Sequence, residues 1–194
     1  MKSEIFDAEL ALIKNENIKY FAREAIEKLP DYFFTIPASS TGKYHPSYTT
    51  GDGGLARHVR ACVRIAFELF RLDWWKFTDD EKDLILTALL LHDGWKNGIV
   101  SSTTTNFTVT EHPIVASSEI KRLFWGSGAI PDEQIEYICS GIATHMGQWN
   151  KDYRSGKEVL ETPADKHQKF IHLADYLASR KCLEMNFDVQ LSEK

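Results

Sequence analysis

Between Leu84 and Leu91 the chain reads LILTALLL, and the next two residues are His92 and Asp93. A segment this apolar on every side forms a stable helix only where other helices cover it all round, because a surface helix keeps one polar face. Thr78 followed three residues later by Glu81 is the signature of a capping box and marks where that helix starts. The pattern predicts a central, buried helix that delivers a His-Asp dipeptide at its C-terminal end.

The same helical period runs through most of the remaining sequence, and no series of short alternating strands interrupts it. A first helical region is expected from Phe6 to Lys28, with a break near Asn15 to Asn17 and Pro30 closing it. Pro30 to Gly54 then reads as a long loop, whose aromatic residues Tyr32, Phe33, Phe34, Tyr44 and Tyr48 favour packing onto the body over a free linker. In the next helix, about Leu55 to Leu72, the residues Leu55, His58, Cys62, Ile65 and Leu69 alternate three- and four-residue steps, so His58 points inward. After the dipeptide, Gly94, Gly98 and the run Ser101 to Thr105 form a loop reaching Thr110.

Pro113 suits the first turn of a helix running to about Trp125, leaving His112 in cap or pre-cap position, and Pro131 opens the following helix in the same way. There Ile135, Ile138, Ile142 and His145 share a stripe. A polar segment from Gly147 to Glu161 leads to Thr162-Pro163, read as cap and first turn of a final helix on which Gln168, Ile171, Asp175 and Ala178 share a face. The expected fold is all-α: a compact helical bundle forming one domain over 1–194, with a motif core at about 53–182 preceded by N-terminal helices and loop at 1–52.

A formal charge of -5 and the absence of a Lys/Arg run argue against a broad nucleic-acid-binding face, which depends on neutralising many phosphates at once. A small nucleotide or a single strand end remains compatible. No apolar run approaches the length that crosses a bilayer, and the first twenty residues mix charges into their apolar positions with no secretion signal. Three cysteines, Cys62, Cys139 and Cys182, without a CxxC pair, read as buried free thiols. These features predict a water-soluble, cytoplasmic protein with no membrane partner.

His58, His92, Asp93, His112, His145 and Asp175 sit at the ends or on the buried faces of different helices, where solvated polar residues are not expected. Buried charges need partners. Taken singly, an inward histidine is more commonly a hydrogen-bonded core residue than a ligand. Six such groups together form a donor set for a divalent transition metal (Mn, Fe, Co, Ni or Zn), with neutral imidazole nitrogen and carboxylate oxygen as donors.

Three segments, His58 in GGLARHVR, His92-Asp93 in LLLHDGWKNG and Asp175 in IHLADYLASR, occur in an order that resembles the HD-domain metal-dependent phosphohydrolase superfamily. His112 in TEHPIVAS and His145 in IATHMGQW extend the resemblance to the subset with two more histidines between the dipeptide and the last aspartate. The resemblance implies two ions per chain: one held by His58, His92, Asp93 and Asp175, the second by Asp93 as a bridge with His112 and His145. It also implies Asp93 and Lys96 as catalytic groups, the lysine offsetting charge on the phosphate or leaving group. A metal-bound hydroxide would then attack a phosphoester of a nucleotide or an oligonucleotide end, as in a phosphodiesterase. Action as a dNTP triphosphohydrolase or 5′-nucleotidase needs the same ligands. A non-catalytic metal-binding sensor module on the same fold is the alternative of another class, and assembly into a homo-oligomer is compatible with either. The additional histidines favour the diesterase group and the acidic charge favours small substrates. His45 stays ambiguous, because its spacing from the GGL segment is lengthened, while His167 and His172 read as surface or supporting groups. Trp149, Tyr44 and Trp95 are candidates to stack on a base.

Overall fold

The computed structural model describes residues 1–40, 42–43, 45–99 and 107–192. Its helices are α1 (Asp7–Leu10), α2 (Glu16–Glu27), α3 (Gly54–Leu69), α4 (Asp79–Leu91), α5 (His112–Phe124), α6 (Asp132–Ala143) and α7 (Lys166–Ala178), with 3-10 turns at Lys2–Phe6, Asp31–Phe34 and Ser47–Thr49. Among the described residues there is no strand, only an isolated antiparallel bridge between Lys151 and Glu158. The chain is all-α, as its periodicity predicts.

Helix α4 lies where its composition demands. Every residue from Asp83 to Leu91 is buried, and α2, α3, α6 and α7 all pack against the helix. Its start is the expected capping box: Glu81 N–H donates to Thr78 Oγ1 at 3.2 Å, and Thr78 N–H donates to Glu81 Oε2 at 2.7 Å. The predicted break in the N-terminal helical region is a real separation between α1 and α2. Asn15 caps α2, its side chain accepting from the N–H groups of Asn17 and Ile18. Asp83 reaches across from α4 to accept from Lys14 N–H at 3.1 Å and Asn15 N–H at 2.8 Å, so the corner is tied to the central helix. Helix α1 is tied instead to α3, through fully buried Glu9, whose carboxylate meets Arg64 Nε at 2.7 Å and Arg60 Nε at 3.1 Å.

The aromatic loop packs down, as expected from its composition. Phe33 is buried, Tyr32 Oη–H donates to the Gly98 carbonyl at 2.7 Å, and Tyr48 Oη–H donates to the Ala178 carbonyl at 3.0 Å. The loop thus holds the turn that follows α4 and the end of α7. Gly54 opens α3 so close to the Thr49 carbonyl that a Cβ there would overlap it, which explains the small residue at this junction. Tyr44 and the run Ser101 to Thr105 lie outside the described residues.

Several boundaries shift from those read in the sequence. Helix α3 ends at Leu69. His112 is the first residue of α5, with Glu111 as its cap, and Pro131 is itself the cap of α6. Helix α7 begins at Lys166 because Gln168 Oε1 accepts from Ala164 N–H at 2.8 Å and Asp165 N–H at 3.1 Å, which places its start beyond Thr162-Pro163. Cys62 and Cys139 are buried free thiols, but Cys182 is exposed, because it falls in the turns after α7. No helix among the described residues is long and apolar enough to cross a membrane.

Candidate metal centre

Each polar residue that the sequence singles out arrives at one point from a different element. His58 comes from the first turns of α3, His92 from the C-cap of α4, and Asp93 from the turn beyond it. His112 opens α5, His145 follows the last turn of α6, and Asp175 lies on α7. The turn after α4 is coupled to α5 through the backbone, since Val109 N–H donates to the Lys96 carbonyl at 2.9 Å.

Asp93 sits at the centre, almost fully buried, with its two oxygens facing different partners. Oδ2 faces His92 Nε2 at 3.6 Å, His58 Nε2 at 3.9 Å and Lys96 Nζ at 2.5 Å. Oδ1 faces His112 Nε2 at 3.0 Å and His145 Nε2 at 3.7 Å. On the first side Asp175 Oδ1 lies 2.9 Å from His58 Nε2 and 3.7 Å from His92 Nε2. Donor atoms of His58, Cys62, His92 and Asp175 all lie within 4.8 Å of one another, as do those of His92, Asp93 and His145.

Three of the rings have their tautomer fixed by their own helix ends. His92 Nδ1–H donates to Leu89 C=O at 2.7 Å, His112 Nδ1–H to Val109 C=O at 2.7 Å, and His145 Nδ1–H to Ile142 C=O at 2.8 Å. A carbonyl only accepts, so Nδ1 carries a proton, and in the neutral ring each Nε2 presents a bare lone pair. His112 Nε2 and His145 Nε2 nevertheless stand 3.3 Å apart, and as neutral rings neither has a proton to give the other or Asp93 Oδ1. His92 Nε2 and Asp93 Oδ1 are accordingly buried without a hydrogen-bond partner. One proton would bridge a single pair of these acceptors. A divalent cation satisfies three or more at once, so the donor set fits a metal.

Burial opposes a charge on the His92 ring, but the Asp93 and Asp175 carboxylates outweigh it and raise its pKa, so a second ring proton and a metal ion compete for Nε2. Burial first, and then repulsion from His92 and His112, pushes His145 down to about 3, which keeps its ring neutral. Burial alone would raise the Asp93 carboxyl, but Lys96, His92 and His112 hold it well below the usual carboxylate range. Asp175 is likewise opposed by burial yet lowered by His58 and His92, so both carboxylates are anionic.

The pattern that joins these residues matches a family description, HD domain, across residues 55–180. The chain belongs to the HD-domain family. Membership places it in a superfamily of metal-dependent phosphohydrolases, whose members bind divalent metals. Searches of curated proteins and of solved structures return no match.

In this HD domain the cluster opens into a cavity of about 300 Å³ that also reaches His45, Thr108, Trp149 and Arg180. Lys96 lines it but is paired with Asp93. His172 stands behind the site: its Nδ1–H donates to the His145 carbonyl at 2.7 Å, which makes it a supporting group and not a surface one, the two readings its sequence position allowed. Gly147 makes that contact fit, having φ of 59° and a position where a Cβ would strike the His172 ring. His167 is buried away from the cavity, stacked on Tyr137 with ring centroids 4.0 Å apart. Trp95 is buried in the apolar core and does not line the cavity, whereas Trp149 does.

Three residues near the site were given no role there from the sequence. Cys62 Sγ lies 3.5 Å from His58 Nε2; its place on the His58 stripe was visible, but a thiol there reads as core. His45 packs 5.8 Å from the His58 ring, and burial followed by repulsion from His58 and Lys96 pushes it down to about 4. Arg180 reaches the cavity from just beyond α7, a place where an arginine reads as surface.

Proposed function

We propose that this HD domain hydrolyses a phosphoester of a nucleotide or of an oligonucleotide end, acting as a phosphodiesterase-type enzyme with two divalent transition-metal ions. The observation that supports it most is the division of Asp93, with Oδ2 facing His58 and His92 and Oδ1 facing His112 and His145. A carboxylate so placed is suited to bridge. His58, His92, Asp93 and Asp175 would hold one ion, and Asp93, His112 and His145 the other. When bound, such ions supply Lewis acidity toward phosphoryl oxygens and acidify a water for in-line attack.

The chain's own groups do the remainder. The rings of His92, His112 and His145 are aimed before any ligand arrives, because their Nδ1 protons are committed to backbone carbonyls. Lys96 is the cation nearest the bridging carboxylate, placed to balance charge on a bound phosphate or its leaving group. Burial of the cluster keeps bulk water from screening these charges. The formal charge of -5 favours a small substrate over a long polyanion.

Metal analysis of the purified protein, followed by Mn-, Co- and Ni-supplemented assays on phosphodiesters, dNTPs, nucleoside monophosphates and short oligonucleotides, tests this reading. The expected result is bound transition metal and diester cleavage that Asp93→Ala abolishes. Release of triphosphate from dNTPs, or of phosphate from monophosphates alone, would replace the diesterase by one of those activities. Absence of transition metal, or hydrolysis unchanged by the substitution, would sink the enzymatic reading.

A further inference from the structure

The cavity has a second kind of lining beside its ligand cluster. Trp149, on the turn after His145, remains 43% exposed although it lines the same cavity as Asp93. Its ring lies nearly parallel to that of Tyr176, at 13° with centroids 5.7 Å apart, and Tyr176 directly follows Asp175 on α7. Trp74 and Trp125 are more exposed still, so what sets Trp149 apart is its place: the indole lines the cavity that holds Asp93 and is backed by a second ring, an arrangement suited to a flat heterocycle.

Arg180 stands beside this pair. Its guanidinium carbon lies 4.4 Å from the Tyr176 ring centroid and 5.9 Å from that of Trp149. Nε donates to the Tyr176 carbonyl at 3.2 Å, and Nη2 donates to Ser179 Oγ at 2.7 Å. These bonds fix the fork, yet among the described residues no carboxylate pairs with it. Lys96, by contrast, is paired with Asp93 in the cluster itself. The cavity therefore holds two cations with different surroundings, and the one beside the aromatic pair has donors to spare for an anion.

We propose that Trp149 and Arg180 form a nucleotide-recognition site at the mouth of this cavity, Trp149 stacking on the base and Arg180 binding a phosphate other than the one that is cut. The assignment rests on the phosphoester reading above and narrows it to substrates that carry a base and a second phosphate, as an oligonucleotide end does. Base stacking gives Trp149 a role in selectivity between substrates with the same scissile bond. The second phosphate does the same for Arg180.

The test compares three p-nitrophenyl diesters with the same leaving group, using metal-loaded protein: methyl p-nitrophenyl phosphate, thymidine 5′-(p-nitrophenyl phosphate), and the latter carrying a 3′-phosphate. Wild type should favour the thymidine ester over the methyl ester by about tenfold or more in kcat/KM. Trp149→Ala should collapse that ratio toward one and Trp149→Phe should restore most of it. Arg180→Ala should remove the further gain from the 3′-phosphate, and Arg180→Lys should restore part of it. Ratios that stay at their wild-type values in the alanine variants overturn the proposal, as does a wild type with no preference. If no ester is cleaved under any metal, the phosphoester reading fails, and intrinsic fluorescence then decides recognition separately. Quenching by thymidine 3′,5′-bisphosphate that is lost in Trp149→Phe upholds it; no quenching, or equal quenching in the variant, overturns it.

Discussion

At the scale of single residues, the centre turns on Asp93 having two oxygens with separate audiences. His112 and His145 serve only one of them, so replacing both with alanine should remove about one metal equivalent per chain and leave the other bound. Mass-spectrometric metal analysis checks this, and two retained equivalents would refute the assignment. The six inward polar residues were legible in the sequence because each interrupts an apolar stripe or ends a helix. His45 and Arg180 were not, since a loop histidine and an arginine beyond a helix end belong to no stripe, and only tertiary packing brings them to the cavity. Gly147 was invisible for a related reason: its constraint comes from the His172 ring of α7, not from its neighbours in the chain.

Among the elements, the N-terminal segment is fastened to the bundle by charge as well as by apolar contact. Glu9 of α1 is the counter-ion of Arg64, itself almost fully buried on α3, so Glu9→Gln should cost about 3–5 kcal/mol of folding stability in denaturant titration. A loss near zero would mean that the arginines find another partner. Glu27 fastens the first turn differently, accepting from Ser3 N–H at 2.9 Å and Ser3 Oγ–H at 2.7 Å, and those bonds lower its pKa. A carboxyl depressed by folding stabilises above its unfolded pKa and loses that contribution as pH falls through the folded value. The difference in Tm between wild type and Glu27→Gln should therefore be present at neutral pH and disappear in acid; a gap independent of pH would contradict it. Helix existence and the capping box of α4 were readable from local sequence. The start of α7 was not, because Thr162-Pro163 is a good local start signal that Gln168 overrides by accepting backbone N–H groups nearer the helix.

Across the whole molecule, the candidate metal centre lies at the junction of helices whose apolar faces already form a continuous core from Phe6 to Ala178. Folding should therefore not depend on bound ions in the way a zinc finger does. Chelation should leave the helical circular-dichroism signal intact and lower Tm, by the linkage of ion binding to the folded state. Collapse of helicity on chelation would show that the ions are structural. The all-α class followed from periodicity alone, whereas the packing order of the helices did not, because apolar stripes say which face is buried and not against which neighbour. His92, His112 and His145, each pinned to the carbonyl three residues before it, also have a meaning for anyone building such a site. Every one of these candidate ligands is a portable cassette, a helix end with its own aiming device. A designer joining helix ends at a common point can place each histidine by its local backbone, with no need for a separate network of supporting side chains.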